Sequence, residues 1–129
     1  MTRHSLGALQ HAIMQILWNR GEATTNDVHR ALYDQRRLAP TTIATMLRKM
    51  EEKGVVTHRR DGRAFVYRPT VTESEVQKTM VNEIVDRLFC GDPAALVSHL
   101  IQENTLDAAG LERLRSAIET AEEAEDDRT

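Results

Sequence analysis

The residues best placed to do chemistry fall in two short runs of this chain: Thr41, Thr42, Thr45, Arg48 and Lys49 in APTTIATMLRKMEEKG, then Arg59, Arg60 and Arg63 in THRRDGRAF. A threonine hydroxyl donates or accepts a hydrogen bond, and its methyl can touch the C5-methyl of thymine. Arg48 can reach a guanine edge or a phosphate, and the three later arginines suit phosphates or a minor groove. The chemistry on offer is non-covalent recognition of base edges and neutralisation of phosphates. Other uses of the same residues stay open. Thr41 or Thr42 could hold phosphate at a helix N-terminus, and each threonine could cap a helix or bond to local backbone. Arg48 could pair with Glu51 or Glu52, and Arg59, Arg60 and Arg63 could form a solvated turn.

The elements that must position these residues are legible around them. Pro40 suits a first helical turn, where its missing N–H is no loss. Ile43, Met46, Leu47 and Met50 recur at i, i+3, i+4 and i+7 and predict one buried stripe, with the threonines, Arg48 and Lys49 off it. Gly54 fits a left-handed cap after Lys53. Val55–Arg59 and Ala64–Arg68 have strand composition, and Asp61-Gly62 between them predicts a tight hairpin turn. Phe65 and Tyr67 share a strand face and are expected in the core. A helix with short polar and basic side chains outward, followed by an Arg-tipped hairpin, has the form of a winged helix-turn-helix.

Before this stretch, Leu6, Leu9, Ile13, Ile16 and Leu17 mark a first helix that ends at Arg20-Gly21. Trp18 lies off that stripe and is expected to cover the core edge. Thr24 and Asp27 have capping-box spacing and open a second helix with Val28, Ala31 and Leu32 inward. After it, Thr72 and Glu75 form another capping box, ahead of a helix from about Glu73 to Phe89 striped by Val76, Met80, Ile84 and Leu88. Gly91 breaks that helix, and Asp92-Pro93 restarts it with Ala95, Leu96, Leu100 and Ile101 on an apolar face. Leu106 and Leu111 are spaced as a hydrophobic staple around an Asp107 cap, and Leu111, Leu114 and Ile118 stripe a last helix. Glu122–Thr129 is acidic, lacks large apolar residues and is expected to be frayed or disordered.

The expected fold class is therefore mainly α. A winged helix-turn-helix of three helices and a β-hairpin wing spans residues 1–71, and a three-helix dimerisation region spans residues 72–129. Some 50 residues of helix are too few to bury enough surface alone, so a second copy is expected to complete that region. Its contact residues are expected to be Ile84, Leu88, Leu96, Leu100, Leu111, Leu114 and Ile118.

Net charge over the 129 residues is −3, which by itself argues against a polyanionic partner. Its distribution reverses that reading: residues 1–70 hold 12 Lys+Arg against 6 Asp+Glu, whereas residues 71–129 hold 5 against 14. No apolar run approaches the roughly 20 residues of a membrane span, and no apolar signal core opens the chain, so a cytoplasmic protein without direct membrane binding is expected. The single Cys90 excludes an intramolecular disulfide and a cysteine-cluster metal site. His4, His11, His29, His58 and His99 are scattered without ligand spacing, so no metal and no cofactor is expected. No phosphate-binding loop or nucleophile motif is present, and no enzyme is expected.

The chain resembles the penicillinase-repressor family, the BlaI/MecI type that also includes CopY-type copper repressors. The resemblance is carried by Leu6–Trp18, Val28–Leu32, Thr41–Arg48, Glu51–Gly54, Arg60–Tyr67, Leu88–Gly91, Ala95–Val97 and Leu111–Leu114. It implies a dimeric transcriptional repressor whose winged helix occupies double-stranded, palindromic operator DNA and whose C-terminal helices wind around those of a partner. In the penicillinase type it further implies a membrane sensor metalloprotease that inactivates the repressor by cutting its dimer region. The scissile Asn-Phe aligns with His99-Leu100 here, the family's Tyr before Thr-Thr is Pro40, and its Val-Met is Ile43-Ala44. The copper relatives' cysteine cluster has no counterpart beside Cys90. Two other classes compete: a winged-helix module that docks an acidic protein, and a ligand-sensing winged-helix regulator.

Overall fold

A computed structural model describes residues 5–128. Helix α1 (Ala8–Arg20) leads through strand β1 (Ala23–Thr24) into helices α2 (Thr25–Leu32) and α3 (Pro40–Lys53). Strands β2 (Val56–Asp61) and β3 (Ala64–Pro69) follow, then helices α4 (Glu73–Leu88), α5 (Pro93–Gln102) and α6 (Ala108–Arg128). The chain divides into two compact units between Glu83 and Ile84, within α4.

The first unit has a core built almost without aromatics. Ile13, Met14 and Leu17 from α1, Val28 from α2, Ile43, Leu47 and Met50 from α3, and Val55 and Val76 are at most 1% exposed. Each buried aliphatic of this size contributes roughly 1.5–3 kcal/mol of transfer free energy. Met46, expected on the buried stripe of α3, is only half-buried and packs on the core's edge. Trp18 closes another edge: its ring packs against the core and its indole N–H donates to the Val71 carbonyl at 2.9 Å. An indole that covers apolar surface must still satisfy its N–H, and the segment entering α4 supplies the acceptor.

The sheet is antiparallel, in the order β1-β3-β2. β1 was not expected from the sequence, because two residues carry no alternation to read; Ala23 pairs with Tyr67 and Thr24 with Val66. The hairpin turn differs from the expected Asp61-Gly62 centre. Asp61 pairs with Ala64, so the two turn residues are Gly62 and Arg63. Gly62 has φ +60° and Arg63 does not share a positive φ, so glycine sits where a type II′ turn requires it.

Local caps set where the helices start and stop. Thr24 Oγ1 accepts the Asp27 N–H at 3.0 Å, and Asp27 Oδ2 accepts the Thr24 N–H at 3.1 Å, a reciprocal box at the start of α2. The Thr24 N–H, and after it the Thr24 hydroxyl, hold the Asp27 carboxyl below its ordinary 3.8. A depressed folded-state value means this contribution is present above the unfolded pKa and is lost as pH falls through the lower, folded one. Thr24→Ala is expected to cost about 1 kcal/mol at neutral pH, read as a lowered urea midpoint with an unchanged m-value. At the far end of α3, Gly54 adopts φ +90°, ψ +15°, and its N–H and that of Val55 close on the Met50 carbonyl at 3.1 Å.

In the second unit, Asp92 caps α5 by accepting the Ala94 N–H at 3.0 Å, and Asp107 Oδ1 accepts the Gly110 N–H at 2.7 Å at the start of α6. The end of α5 is closed at two carbonyls. Glu103 N–H donates to His99 O at 3.0 Å, while Leu100 O accepts both the Thr105 N–H at 3.3 Å and its hydroxyl at 2.6 Å. The acidic end departs from expectation. Helix α6 runs on to Arg128 rather than fraying at Glu122. Ala121–Glu125 is built only of alanine and glutamate, both strong helix formers, and continues the helix already begun at Ala108. His4 lies outside the described residues.

Candidate nucleic-acid interface

Helix α3 sorts its side chains by period. Ile43, Leu47 and Met50 point inward and are buried, so Thr41, Thr42, Thr45, Arg48 and Lys49 are all exposed. The N-cap of α3 is Ala39, which gives no side-chain cap, so neither Thr41 nor Thr42 caps this helix. Both sit in its first turn instead. Thr41, Thr42, Thr45 and Lys49, with Met46, line one shallow surface depression of about 270 Å³. Arg48 turns the other way, into a pocket of about 290 Å³ with Thr25, Ala44, Glu51, His58, Phe65 and Tyr67. Its guanidinium lies 3.5 Å from Thr45 Oγ1, while Glu51, one of the two alternative partners for it, goes to His58.

The wing arginines separate by strand face. Arg60 stands opposite Phe65 and Arg59 opposite Val66, and neighbours along a strand point to opposite faces. The Arg60 guanidinium lies 5.3 Å from the Phe65 ring centroid. Phe65 is thus not the core residue its spacing suggested: it is 39% exposed and supports a cation, while Tyr67 two residues on is 3% exposed. The reason is the reach of the hairpin, whose tip extends past the helices that cover its base. Burial and the neighbouring Glu51 carboxylate push the Tyr67 phenol up from 10.0. Arg59 pairs with Glu22 at 2.9 Å on the other face. Both partners are about half exposed, so the pair is worth little and a phosphate could displace it. Arg63 sits exposed at the turn.

Two cross-element pairs, Glu22–Arg59 and Glu51–His58, were not legible in the sequence. Neither has helical spacing, and each depends on where the hairpin lies. Among the described residues, no group of His, Cys, Asp and Glu could hold a metal ion.

Comparison with known proteins fits this arrangement. The chain matches the family described as penicillinase repressor over residues 6–120. It is 36% identical over 115 residues to the transcriptional regulator BlaI of Mycobacterium tuberculosis, covering 88% of this chain and 82% of that one. It is 27% identical over 107 residues to the penicillinase repressor of Bacillus licheniformis, covering 83% and 84%. The solution structure of the DNA-binding domain of the repressor BlaI aligns with a TM-score of 0.52 at 32% identity, covering 58% of this chain and 93% of that domain. Matched from its first helix into its last, this chain belongs to the penicillinase repressor family.

Proposed function

We propose that this protein is a homodimeric, sequence-specific transcriptional repressor that occupies palindromic operator DNA. The observation that carries the reading is the exposed row Thr41, Thr42, Thr45 and Lys49 on α3, beside a wing that carries exposed Arg60 and Arg63. A helix with small polar side chains fits a major groove, and a basic ribbon beside it reaches the backbone. In this reading residues 1–71 bind DNA and residues 72–129 pair the subunits. Arg48 joins the base or phosphate contacts, and Arg59 does so after leaving Glu22.

Support for pairing comes from the second unit's surface. Ile84, Leu88, Leu100, Leu111 and Ile118 are exposed, Leu88 by 70%, and Leu96 and Leu114 are only half-buried. That is more apolar surface than so small a unit can leave in water without cost. Release by a membrane sensor metalloprotease, the penicillinase type's route, would fall in the cytoplasm at His99-Leu100, which stands where that type has Asn-Phe. Among the described residues no helix is long and apolar enough to cross a membrane.

Gel-shift titration against genomic fragments tests the reading, and a chain that ignores every duplex at low salt would be a protein-docking module instead. Thr42→Ala and Thr45→Ala are each expected to cost about 1–3 kcal/mol on the operator and far less on random duplex. Equal losses on both would remove these threonines from base reading.

A further inference from the structure

The root of the wing is fastened to the last turns of α3 by one carboxylate. Glu51 Oε2 accepts the backbone N–H of His58 at 3.1 Å, and His58 Nδ1 lies 2.7 and 2.8 Å from the two carboxylate oxygens. An ionised carboxylate only accepts, so Nδ1–H is the donor. β2 is an edge strand, and its outward N–H at His58 has no neighbouring strand to meet; Glu51 supplies the acceptor. The His58 ring then packs on Tyr67 at 5.3 Å and on Phe65 at 4.7 Å between centroids, and Phe65 carries the Arg60 guanidinium. Contacts thus run without a gap from α3 through Glu51, His58 and Phe65 to a cation on the wing.

We infer that the Glu51–His58 pair is a positioning element of the DNA reader, which sets the wing against α3 and presents Arg60 to the phosphate backbone. This rests on the DNA-reading function proposed above. The need for such an element follows from the hairpin's construction. Only Gly54 and Val55 separate α3 from β2, and β2 is buried at Val56 alone, with every residue from His58 to Asp61 exposed. Beyond the Thr24–Val66 pair β1 ends and the wing runs on as two strands, and a two-stranded ribbon does not hold its own direction. Thr70 closes the base of the ribbon, through its N–H to Val55 O at 2.9 Å and its hydroxyl to Gly54 O at 2.6 Å. The Glu51 contacts act further out, on the free edge of β2 opposite Tyr67, two residues before Arg60 on the two-stranded part. Holding α3 and Arg60 at a fixed separation lets both engage one duplex without an ordering cost at binding.

The test is a double-mutant cycle on operator-length duplex, read as affinity against salt. In the otherwise unchanged protein, Arg60→Ala should reduce the slope of log affinity on log salt by about 0.9, one phosphate contact. In a His58→Ala or Glu51→Ala background the same change should alter the slope hardly at all, because Arg60 is no longer presented. His58→Asn, whose amide nitrogen can take the place of Nδ1–H, should restore the Arg60 effect. Circular dichroism establishes that each variant is folded. If Glu51→Ala does not fold, the His58→Ala and His58→Asn pair decides the matter. A full Arg60 effect in folded His58→Ala protein would overturn the positioning role while leaving DNA reading intact. A wild-type chain that binds no duplex at low salt would overturn both.

Discussion

Replacing Leu96 and Leu100 together by glutamate is expected to yield a monomer by sedimentation and to abolish tight operator binding. Leu100 is 38% exposed and Leu96 half-buried, so two charges there leave the second unit's own packing largely untouched. Buried in a subunit interface, however, two unpaired carboxylates on each chain would have to give up their hydration. The loss on DNA should exceed the loss on any single half-site. Joining two readers makes the second contact intramolecular, and its removal costs about 10²- to 10⁴-fold in overall affinity. Binding to an isolated half-site should be unchanged. A dimer that survives both substitutions would move the interface away from α5.

The second large effect is expected at the wing. Arg60→Ala with Arg63→Ala should weaken binding to specific and random duplex alike, and flatten the salt dependence by about two phosphate contacts, roughly 1.8 in slope. Between 50 and 200 mM salt a contact set of six to ten phosphates spans about 10³–10⁵ in affinity, so removing two is readily measured. An unaltered slope in the Arg60, Arg63 double variant would take the wing off the DNA.

Much of the fold could be read from local rules. The stripe of α3, its Gly54 stop, the Thr24–Asp27 box and the Asp92 and Asp107 caps all rest on spacings within one or two helical turns, and the structure has each of them. What escaped was set by distant partners or by reach. Strand β1 exists because β3 offers it an edge, not because Ala23-Thr24 looks like a strand. Phe65 has the alternation of a core residue but stands beyond the body that would bury it, whereas Tyr67 does not. The acidic end of α6 is helical to Arg128 where low hydrophobicity suggested fraying, and its alanines and glutamates have the propensity for it. In the candidate site, the exposed row on α3 followed from periodicity alone. Glu51 and His58 could not be joined from the sequence, since seven residues spanning a helix end, a left-handed glycine and a strand start have no fixed geometry.

The doubly closed end of α5 has a kinetic meaning. An endoprotease takes its substrate as an extended strand, yet the carbonyl of the His99–Leu100 bond is engaged by Glu103 and the next one by two groups of Thr105. Any cut there therefore waits on a transient unravelling of that turn, and when reclosing is fast its speed scales with the fraction of time the turn stands open. If release is by a cut at that bond, as proposed above, Thr105 would act as a timer on how long the repressor persists once a signal arrives.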